Sequence, residues 1–522
     1  MNREDAATVC TLDEAARSLV ALAVKRARDT ERTRWVALVI DVEADLQSLD
    51  ALGCYAHAGK RDRFLFGRGD SGDFIVSWGV ADEIESAGPA RFRDVRAWAE
   101  GVRARIDWIG DSRPATAACF FGGFGFEAES RGAAEWKSFP AARFVLPEVI
   151  IERRDGATSR VIFARVEPGS SAESVTSDLR VRRLELERAD PRASRSDLES
   201  MQAATVLPTS PGDWPAGPEF RVRADRSHDI FCAQIQGALD AIEAGEFRKV
   251  VLARSLSIDL DGEIDVPAFL GRLRSLYPTC TLIAMGRGED TFLAATPESL
   301  IRLRERQVET AALAGSAPRG RHPDEDRMLA AGLMSSAKEH SEHAHVVEAI
   351  RRVLEPVCES LEIAETPALR PLFGIQHLET LIHGRLSFAP ASKSVGDTVD
   401  AFDAGVDGAV DVLALVEALH PTPAVGGVPR IAAEDWLRRA EGLDRGWYAG
   451  PIGWLDSRGG GDFRVALRSG LIRNGLGEPG RSGASRALLF AGAGIVEGSV
   501  PEDELAETRI KLRALLAPLT EI

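Results

Sequence analysis

Cysteine is scarce in this chain of 522 residues, and no two cysteines stand in the CxxC spacing of a metal site. The six are scattered, at Cys10, Cys54, Cys119, Cys232, Cys280 and Cys358. This scatter argues against a zinc site and against a disulfide framework. It predicts a reducing compartment such as the cytoplasm.

Long apolar runs are absent as well. No segment has about 18 continuous apolar residues, the length that crosses a bilayer as a helix. The first residues, Met1 to Asp5, are acidic and lack the apolar core of a signal peptide. The sequence therefore predicts a protein without a membrane segment.

Positive charge is the third shortage. The formal net charge is −16, which argues against nucleic acid or an anionic membrane as a partner. A small anionic substrate stays possible, because a local cationic pocket can lie in an acidic surface. Only seven of the basic residues are lysines, and one of them, Lys249, stands in the apolar segment 248–254.

The segment around Lys249 is typical of a buried strand. Burial destabilises an ammonium group and lowers its pKa, which is what a general base near neutral pH needs. Two other interpretations are open: a lysine at a sheet edge that reaches solvent, and a lysine paired with a carboxylate. The strand alone does not decide between them.

The length predicts either one large enzyme fold or two to three domains. Helical and extended patterns alternate irregularly, which predicts an α+β fold. Residues from about 188 to 220 are rich in Asp, Ser, Pro and Gly and predict a surface connection. We divide the chain into an N-terminal part, 1–226, and a catalytic region, 227–518. A long amphipathic helix is expected over 324–356.

Acidic side chains recur at helical spacing in two places. Glu504, Glu507 and Lys511 share one face of a predicted C-terminal helix. Segment 336–345 carries His and Glu but lacks the HExxH spacing of a zinc protease. Ordinary ion pairs and a solvated helix face explain both patterns. Alternatively, Glu342 and Glu507 together hold Mg²⁺, which prefers oxygen ligands.

Three short segments are expected to shape a site. Residues 488–498 imitate a dinucleotide fingerprint, but fewer than 30 residues follow the glycines, so we predict a glycine turn whose N–H groups face an anionic ligand. Residues 313–316 predict a second small-residue turn. At 296–298 a proline ends a strand and either caps it or directs Glu298 into a cavity. Arg468 is expected on a strand, where a guanidinium can clamp a carboxylate.

Together and in this order, these segments resemble the chorismate-utilising enzyme family, which includes isochorismate, salicylate, anthranilate and aminodeoxychorismate synthases. The resemblance is strong over 227–518 and looser over 120–126 and 136–147. The matching motifs lie at 249–254, 296–298, 313–316, 341–343, 420–424, 491–495 and 504–511. The resemblance implies a large two-lobed α/β sandwich with its site in a cleft between sheets.

The resemblance also implies a reaction. Ammonia-adding members usually carry glutamine where this chain has Lys249, and aminodeoxychorismate synthases place a nucleophilic lysine where it has Ala314. Isochorismate synthase activity is therefore implied, an isomerase reaction serving menaquinone or siderophore biosynthesis. Lys249 is the implied general base that activates water for attack at C2 of chorismate. Glu298 is the implied general acid that protonates the departing C4 hydroxyl.

Cofactor and substrate positions follow from the same resemblance. Glu342 and Glu507 would hold Mg²⁺, with Glu504 close by through water, and the metal would bind the ring carboxylate. The implied substrate-binding positions are Ala314, Gly315, Ser316, His377, Ala424, Tyr448, Arg468, Gly492 and Lys511. Chorismate is the expected small-molecule partner. No glutamine amidotransferase subunit is needed when water is the nucleophile, and a monomer is expected.

Two alternatives remain. A salicylate synthase performs the same first step and then expels pyruvate, and this chain has Ala424 where those enzymes tend to carry threonine. A chorismate-binding scaffold or sensor would be expected to have lost Lys249 or Glu298.

Overall fold

The computed structural model describes residues 14–42, 49–110, 118–154, 156–188, 220–387, 410–476 and 483–520. Most of the predicted surface connection over 188–220 lies outside these residues. No helix in the described ranges is long and apolar enough to cross a membrane.

The N-terminal part contributes four helices and nine strands within the described ranges. The helices are α1 (Glu14–Thr30), α2 (Ala51–His57), α3 (Arg91–Arg103) and α4 (Ala172–Arg188). The strands are β1 (Arg34–Val42), β2 (Arg63–Arg68), β3 (Phe74–Trp78), β4 (Asp82–Ser86), β5 (Ile106–Ile109), β6 (Ala118–Phe124), β7 (Ala142–Leu146), β8 (Val149–Arg154) and β9 (Ala157–Val166).

The remainder of the described chain adds seven helices and fourteen strands. The helices are α5 (His228–Glu243), α6 (Val266–Leu276), α7 (Pro323–Ser335), α8 (Ala337–Leu354), α9 (Val412–Leu419), α10 (Arg430–Ala440) and α11 (Pro501–Thr520). The strands are β10 (Phe220–Ala224), β11 (Lys249–Asp261), β12 (Thr281–Arg287), β13 (Asp290–Thr296), β14 (Ser299–Arg304), β15 (Gln307–Pro318), β16 (Cys358–Ile363), β17 (Ala368–Pro371), β18 (Ile375–Leu386), β19 (Gly427–Val428), β20 (Pro451–Asp456), β21 (Gly461–Val465), β22 (Ser469–Arg473) and β23 (Ala484–Val496).

These strands form two large sheets. The first sheet runs β10-β11-β23-β22-β13-β12-β2-β3-β8-β9-β1-β5, with β19 added to β11. The second runs β16-β18-β15-β14-β21-β20-β6-β7-β4, with β17 added to β18. The predicted α+β sandwich is confirmed.

Strands from both parts of the chain pair within each sheet. In the first sheet β12 pairs with β2, so that Met285 lies opposite Phe64. In the second sheet β20 pairs with β6, so that Gly453 lies opposite Gly122. A Cβ at Gly122 would lie 2.0 Å from the Arg143 carbonyl oxygen, so the backbones approach closely here and only glycine fits.

Apolar side chains fill two layers. One cluster joins both sheets and includes Phe64, Phe121 and Phe144. The other packs helices onto the first sheet and includes Val20 of α1 and Leu515 of α11. Burying one such side chain stabilises the fold by about 1.5–3 kcal/mol. The helix α11 is thereby fixed against the sheet that carries Lys249.

The predicted long helix over 324–356 is wrong in one respect, because the structure divides it into α7 and α8. The break falls at Ser336, whose Oγ accepts a hydrogen bond from the Glu339 N–H at 3.3 Å and caps α8. A serine at an N-cap satisfies a backbone donor that has no partner within the helix. The break sets the direction of α8, which carries Glu342.

Two predicted turns are also wrong, because both segments lie inside long strands. Gly492 belongs to β23 and lies opposite Ala253 of β11. Segment 313–316 belongs to β15, where a bulge between Ala314 and Ser316 puts Gly315 at φ +74°. A glycine tolerates that angle without strain. Arg468 is not on a strand either, since it lies between β21 and β22.

Candidate active site

A cavity of about 100 Å³ lies between the two sheets and brings the predicted site residues together. It is lined by Glu298, Ala314, Gly315, Ser316, Glu342, His377, Ala424, Tyr448, Arg468, Gly492, Glu504, Glu507 and Lys511. Lys249 joins them through a contact with Glu342. The structure thus gathers every predicted position, while the chemical role of each stays a prediction.

Lys249 is the first residue of β11 and is fully buried. Alternate side chains of a strand share a face, so Lys249 points the same way as Val251, which lines the cleft. Its Nζ donates to Glu342 Oε1 at 2.7 Å. Lys249 is therefore paired with a carboxylate and does not reach solvent at a sheet edge, and its partner comes from α8 on the far wall.

The glycines of β23 make room for this pair. A Cβ at Gly494 would lie 2.8 Å from Glu342 Oε1 and 3.3 Å from Lys249 Cε. A Cβ at Gly492 would lie 3.0 Å from the Tyr448 hydroxyl. Neither glycine has a positive φ. These glycines therefore leave space for neighbouring side chains and do not form a turn.

Glu298 follows Pro297 in the short connection between β13 and β14, and only 4% of it is exposed. Burial raises its pKa to about 7, against the opposing charges of Lys249, Lys511 and Arg468. Thr422 Oγ1 donates to Glu298 Oε1 at 3.4 Å. A carboxyl group in this state can donate a proton near neutral pH.

A guanidinium on the cavity wall is held by a neutral histidine. Burial and the charge of Arg468 hold the pKa of His377 well below its usual range. His377 Nδ1–H can donate to the Gly315 carbonyl at 3.2 Å, and Nε2 then accepts from Arg468 Nη2 at 3.2 Å. Arg468 Nη1 is buried and has no hydrogen-bond partner in the described chain. That N–H is a free donor for a carboxylate ligand.

Three carboxylates pair with three lysines in the cleft. Glu342 pairs with Lys249, and Glu507 Oε1 lies 2.6 Å from Lys511 Nζ. Glu504 Oε1 accepts from Lys338 Nζ at 3.4 Å. Three of the seven lysines in the sequence therefore stand here, and each neutralises a different carboxylate.

The electrostatics of this cluster favour a cation. Burial and the neighbouring Glu507 raise the pKa of Glu504. Burial also raises the pKa of Glu339, and Glu342 and Glu507 raise it further against a bond from the Ser316 N–H. No group of three or more metal-ligating side chains is already arranged for a metal within the described ranges. The oxygen donors and their mutual repulsion nevertheless fit a hard divalent ion.

Sequence reasoning missed Lys338, Glu339 and Thr422. Glu339 Oε2 accepts from the Ser316 N–H at 2.9 Å and so ties α8 to the bulge in β15. Helical spacing carried a signal, because positions 338 and 339 lie four and three residues before Glu342 and share its face. Thr422 lay within a quoted motif, but nothing in the sequence paired it with Glu298.

The remaining cavity contacts come from α11 and from the aromatic wall. Lys511 Nζ donates to the Gly492 carbonyl at 2.9 Å. The ring of Tyr448 stacks on Phe490, with centroids 5.2 Å apart. Such a wall suits one face of a flat ring, while the cations suit its carboxylates.

A cleft with a buried acid, a buried lysine and several cations defines an enzyme for a small anionic substrate. The chain belongs to the family described as Chorismate binding enzyme, whose profile matches residues 22–520. The predicted family resemblance is confirmed.

Named relatives cover most of the chain. It is 36% identical over 449 residues to the salicylate biosynthesis isochorismate synthase of Pseudomonas aeruginosa, covering 86% of this chain and 83% of that protein. It is 30% identical over 520 residues to isochorismate synthase MenF of Bacillus subtilis, covering 98% and 99%. Its fold is similar to the menaquinone-specific isochorismate synthase MenF of Escherichia coli, with TM-score 0.67, 23% identity, and 97% and 100% of the two chains covered.

Proposed function

We propose that this enzyme is an isochorismate synthase, which converts chorismate to isochorismate. Water is added at C2 and the C4 hydroxyl leaves as water, so the reaction is an isomerisation. The observation that carries the proposal is one cleft holding a buried lysine together with a carboxyl whose pKa lies at about 7. The names of the relatives support the same reaction.

The roles follow from the chemistry of the two groups. Lys249, when neutral, takes a proton from the attacking water. Glu298, when protonated, gives its proton to the leaving C4 oxygen. Hydroxide is too poor a leaving group to depart without that proton, so both transfers are needed. Ala314 leaves space for water beside the ring.

The substrate is a dianion, and the cleft offers cations for both of its carboxylates. Arg468, positioned by His377, is proposed to bind the enolpyruvyl carboxylate with Tyr448. Lys511 and the Gly492 backbone are proposed to contact the carboxylates from the other side. These cations explain how an acidic protein can bind an anionic substrate.

Mg²⁺ is the proposed cofactor, held by Glu342 and Glu507 with Glu504 close by. When bound, it would neutralise the ring carboxylate and orient the ring. The product would serve menaquinone or siderophore biosynthesis, in line with relatives named for the salicylate and menaquinone routes.

One assay tests this function against its alternatives. The full chain is incubated with chorismate and Mg²⁺, and the products are separated by chromatography. We expect isochorismate alone. Salicylate with pyruvate would indicate a salicylate synthase, and unchanged chorismate would indicate a binding protein or sensor.

A further inference from the structure

A second cavity, of about 240 Å³, lies outside the catalytic cleft. It is bounded by α3, by α10 and by the segment 420–421. Phe92 and Phe126 form apolar parts of its wall, while arginine and glutamate side chains, together with His420, form its polar parts. None of the positions predicted for catalysis lines it.

Arg91 lines this cavity, and its guanidinium lies over the Phe92 ring, 4.6 Å from the ring centroid. Only 7% of the residue is exposed, and its Nε has no hydrogen-bond partner. Burial lowers its pKa to about 10, against the opposing charges of Glu417 and Glu434. A buried guanidinium N–H without a hydrogen-bond partner is unfavourable, so a carboxylate that entered the cavity would be bound by it.

The same cavity offers two acceptors that lack partners. His420 Nε2–H donates to the Phe126 carbonyl at 3.1 Å, which leaves Nδ1 as a buried acceptor without a partner. Burial lowers the pKa of this ring to about 3, so it stays neutral. Glu434 Oε1 is buried without a hydrogen bond, and its arginine neighbours approach no closer than 3.9 Å.

A guanidinium N–H and two acceptor atoms that lack hydrogen bonds, set beside aromatic side chains, match one kind of ligand. A carboxylate would pair with Arg91, an ammonium group would donate to Glu434, and an apolar side group would lie against Phe92 and Phe126. We propose that this cavity binds a small zwitterion, an α-amino acid with an apolar side chain.

Residues that line this cavity are adjacent in sequence to a residue that contacts Glu298. His420 and Pro421 line it, and Thr422, the next residue, donates to Glu298 in the cleft. Ala424 of the same segment lines the cleft itself. An occupant that shifts 420–421 therefore alters the contact with Glu298. This coupling rests on the proposed function, whereas the binding does not.

Calorimetric titration of the full chain with three matched probes tests the binding. The probes are L-leucine, 4-methylpentanoate, which lacks the amino group, and 3-methylbutylamine, which lacks the carboxylate. We expect saturable binding of L-leucine and at least tenfold weaker binding of the other two. No saturable binding of L-leucine, or equal binding of all three, would overturn the proposal.

Two variants place the site. In Arg91→Gln, the affinity for L-leucine should fall to that for 3-methylbutylamine. In Glu434→Gln, L-leucine should no longer bind more tightly than 4-methylpentanoate. Unchanged L-leucine binding in the folded variants would overturn the proposal. If Arg91→Gln does not fold, Glu434→Gln and the probe series decide.

Turnover of chorismate separates the two proposals. Without L-leucine, both variants should match the unmodified chain, and with L-leucine the unmodified chain should change its rate at least twofold. A bound probe that leaves the rate unchanged, or one that competes with chorismate, refutes the coupling. A chain that binds L-leucine but does not turn over chorismate contradicts the proposed function alone.

Discussion

Two buried ion pairs flank the same strand, β11, and they are built differently. Lys249 donates one observed hydrogen bond, to Glu342 across the cleft. Arg445 donates twice to Glu441 and also to the carbonyls of Val425 and Val251. Glu441 Oε1 accepts in addition from the Ala253 N–H at 2.7 Å.

The second pair replaces a missing strand. On that edge of β11, β19 pairs only with Lys249 and Val250, and β10 begins to pair at Leu256. The Val251 carbonyl and the Ala253 N–H lie in the gap and take Arg445 and Glu441 as partners. Buried backbone groups need partners. A fully bonded pair therefore supports the fold, whereas the sparsely bonded pair leaves donors free for chemistry.

The largest expected effect sharpens this contrast at the cleft. Lys249→Met removes the proposed base, so turnover should fall about 10²–10⁴-fold. The free energy of unfolding should fall by only about 1–3 kcal/mol, because the Glu342 side chain is 15% exposed and the nearby charges of Lys511 and Lys338 also favour its ionised form. Chorismate turnover and urea denaturation measure the two effects. Lys60→Met, at an exposed lysine, is the control. Full activity in Lys249→Met would refute the base assignment.

The reverse pattern is expected at the structural pair. Arg445→Met leaves Glu441 charged and buried, so the free energy of unfolding should fall by about 3–5 kcal/mol. Turnover per folded molecule should stay within a few-fold of the unmodified chain. The measurement is urea denaturation together with turnover corrected for the folded fraction.

A double variant and a neighbouring control complete that test. Glu441→Met with Arg445→Met removes the charge but leaves Val251 and Ala253 without partners, so it should recover only part of the loss. Arg439→Met, at a side chain 70% exposed near the end of α10 and two residues before Glu441, should lower the free energy of unfolding by little. If the free energy of unfolding of Arg445→Met falls by less than about 1 kcal/mol, the two ion pairs do not differ in this way.

The sequence singled out individual residues of the cleft, but it did not show which of them contact one another. Lys249 stood out because an ammonium is rare in an apolar strand. Its partner Glu342 lies 93 positions away on another element, and no local period links the two. Glu342 was joined instead to Glu507, as an alternative Mg²⁺ pair that the family resemblance then supported.

The errors have a common physical origin. A glycine in the sequence does not show whether the backbone turns or a neighbouring side chain needs space. Segment 488–498, most of which lies in β23, was therefore predicted as a turn. Serine suits both a solvated helix face and an N-cap, so the break at Ser336 was not seen. The sandwich was predicted well because resemblance spans the whole catalytic region, whereas local geometry depends on tertiary contacts.

A third test concerns the protonation of Glu298 on the cleft side. Its pKa of about 7 means that the acid is lost as pH rises, so the rate should fall about tenfold per pH unit above about 7. Glu298→Gln should lower turnover about 10²–10³-fold and abolish that fall. A fall that persists in the variant would assign the titration to another group.

The same carboxyl should affect stability with a definite sign. Its folded pKa lies above the ordinary value of 4.5, so the native state keeps a proton that the unfolded chain releases. The stability contribution is complete below about 4.5 and declines as pH rises to about 7. Urea denaturation across this window should show the decline in the unmodified chain and a weaker one in Glu298→Gln.

The smallest expected effect tests whether lysines occupy the cation site before a metal does. Of the three cleft lysines, Lys338 is the most exposed, at 40% of its side chain, and its bond to Glu504 is the longest, at 3.4 Å. It is therefore the ammonium that a divalent ion displaces most readily. Lys338→Met should bind Mg²⁺ about three- to tenfold more tightly, a modest factor because solvent screens an exposed pair.

Titration with MgCl₂ without substrate, followed by calorimetry, measures this directly, with Lys60→Met as the control. Weaker binding in Lys338→Met would mean that this lysine supports the metal site rather than competing for it.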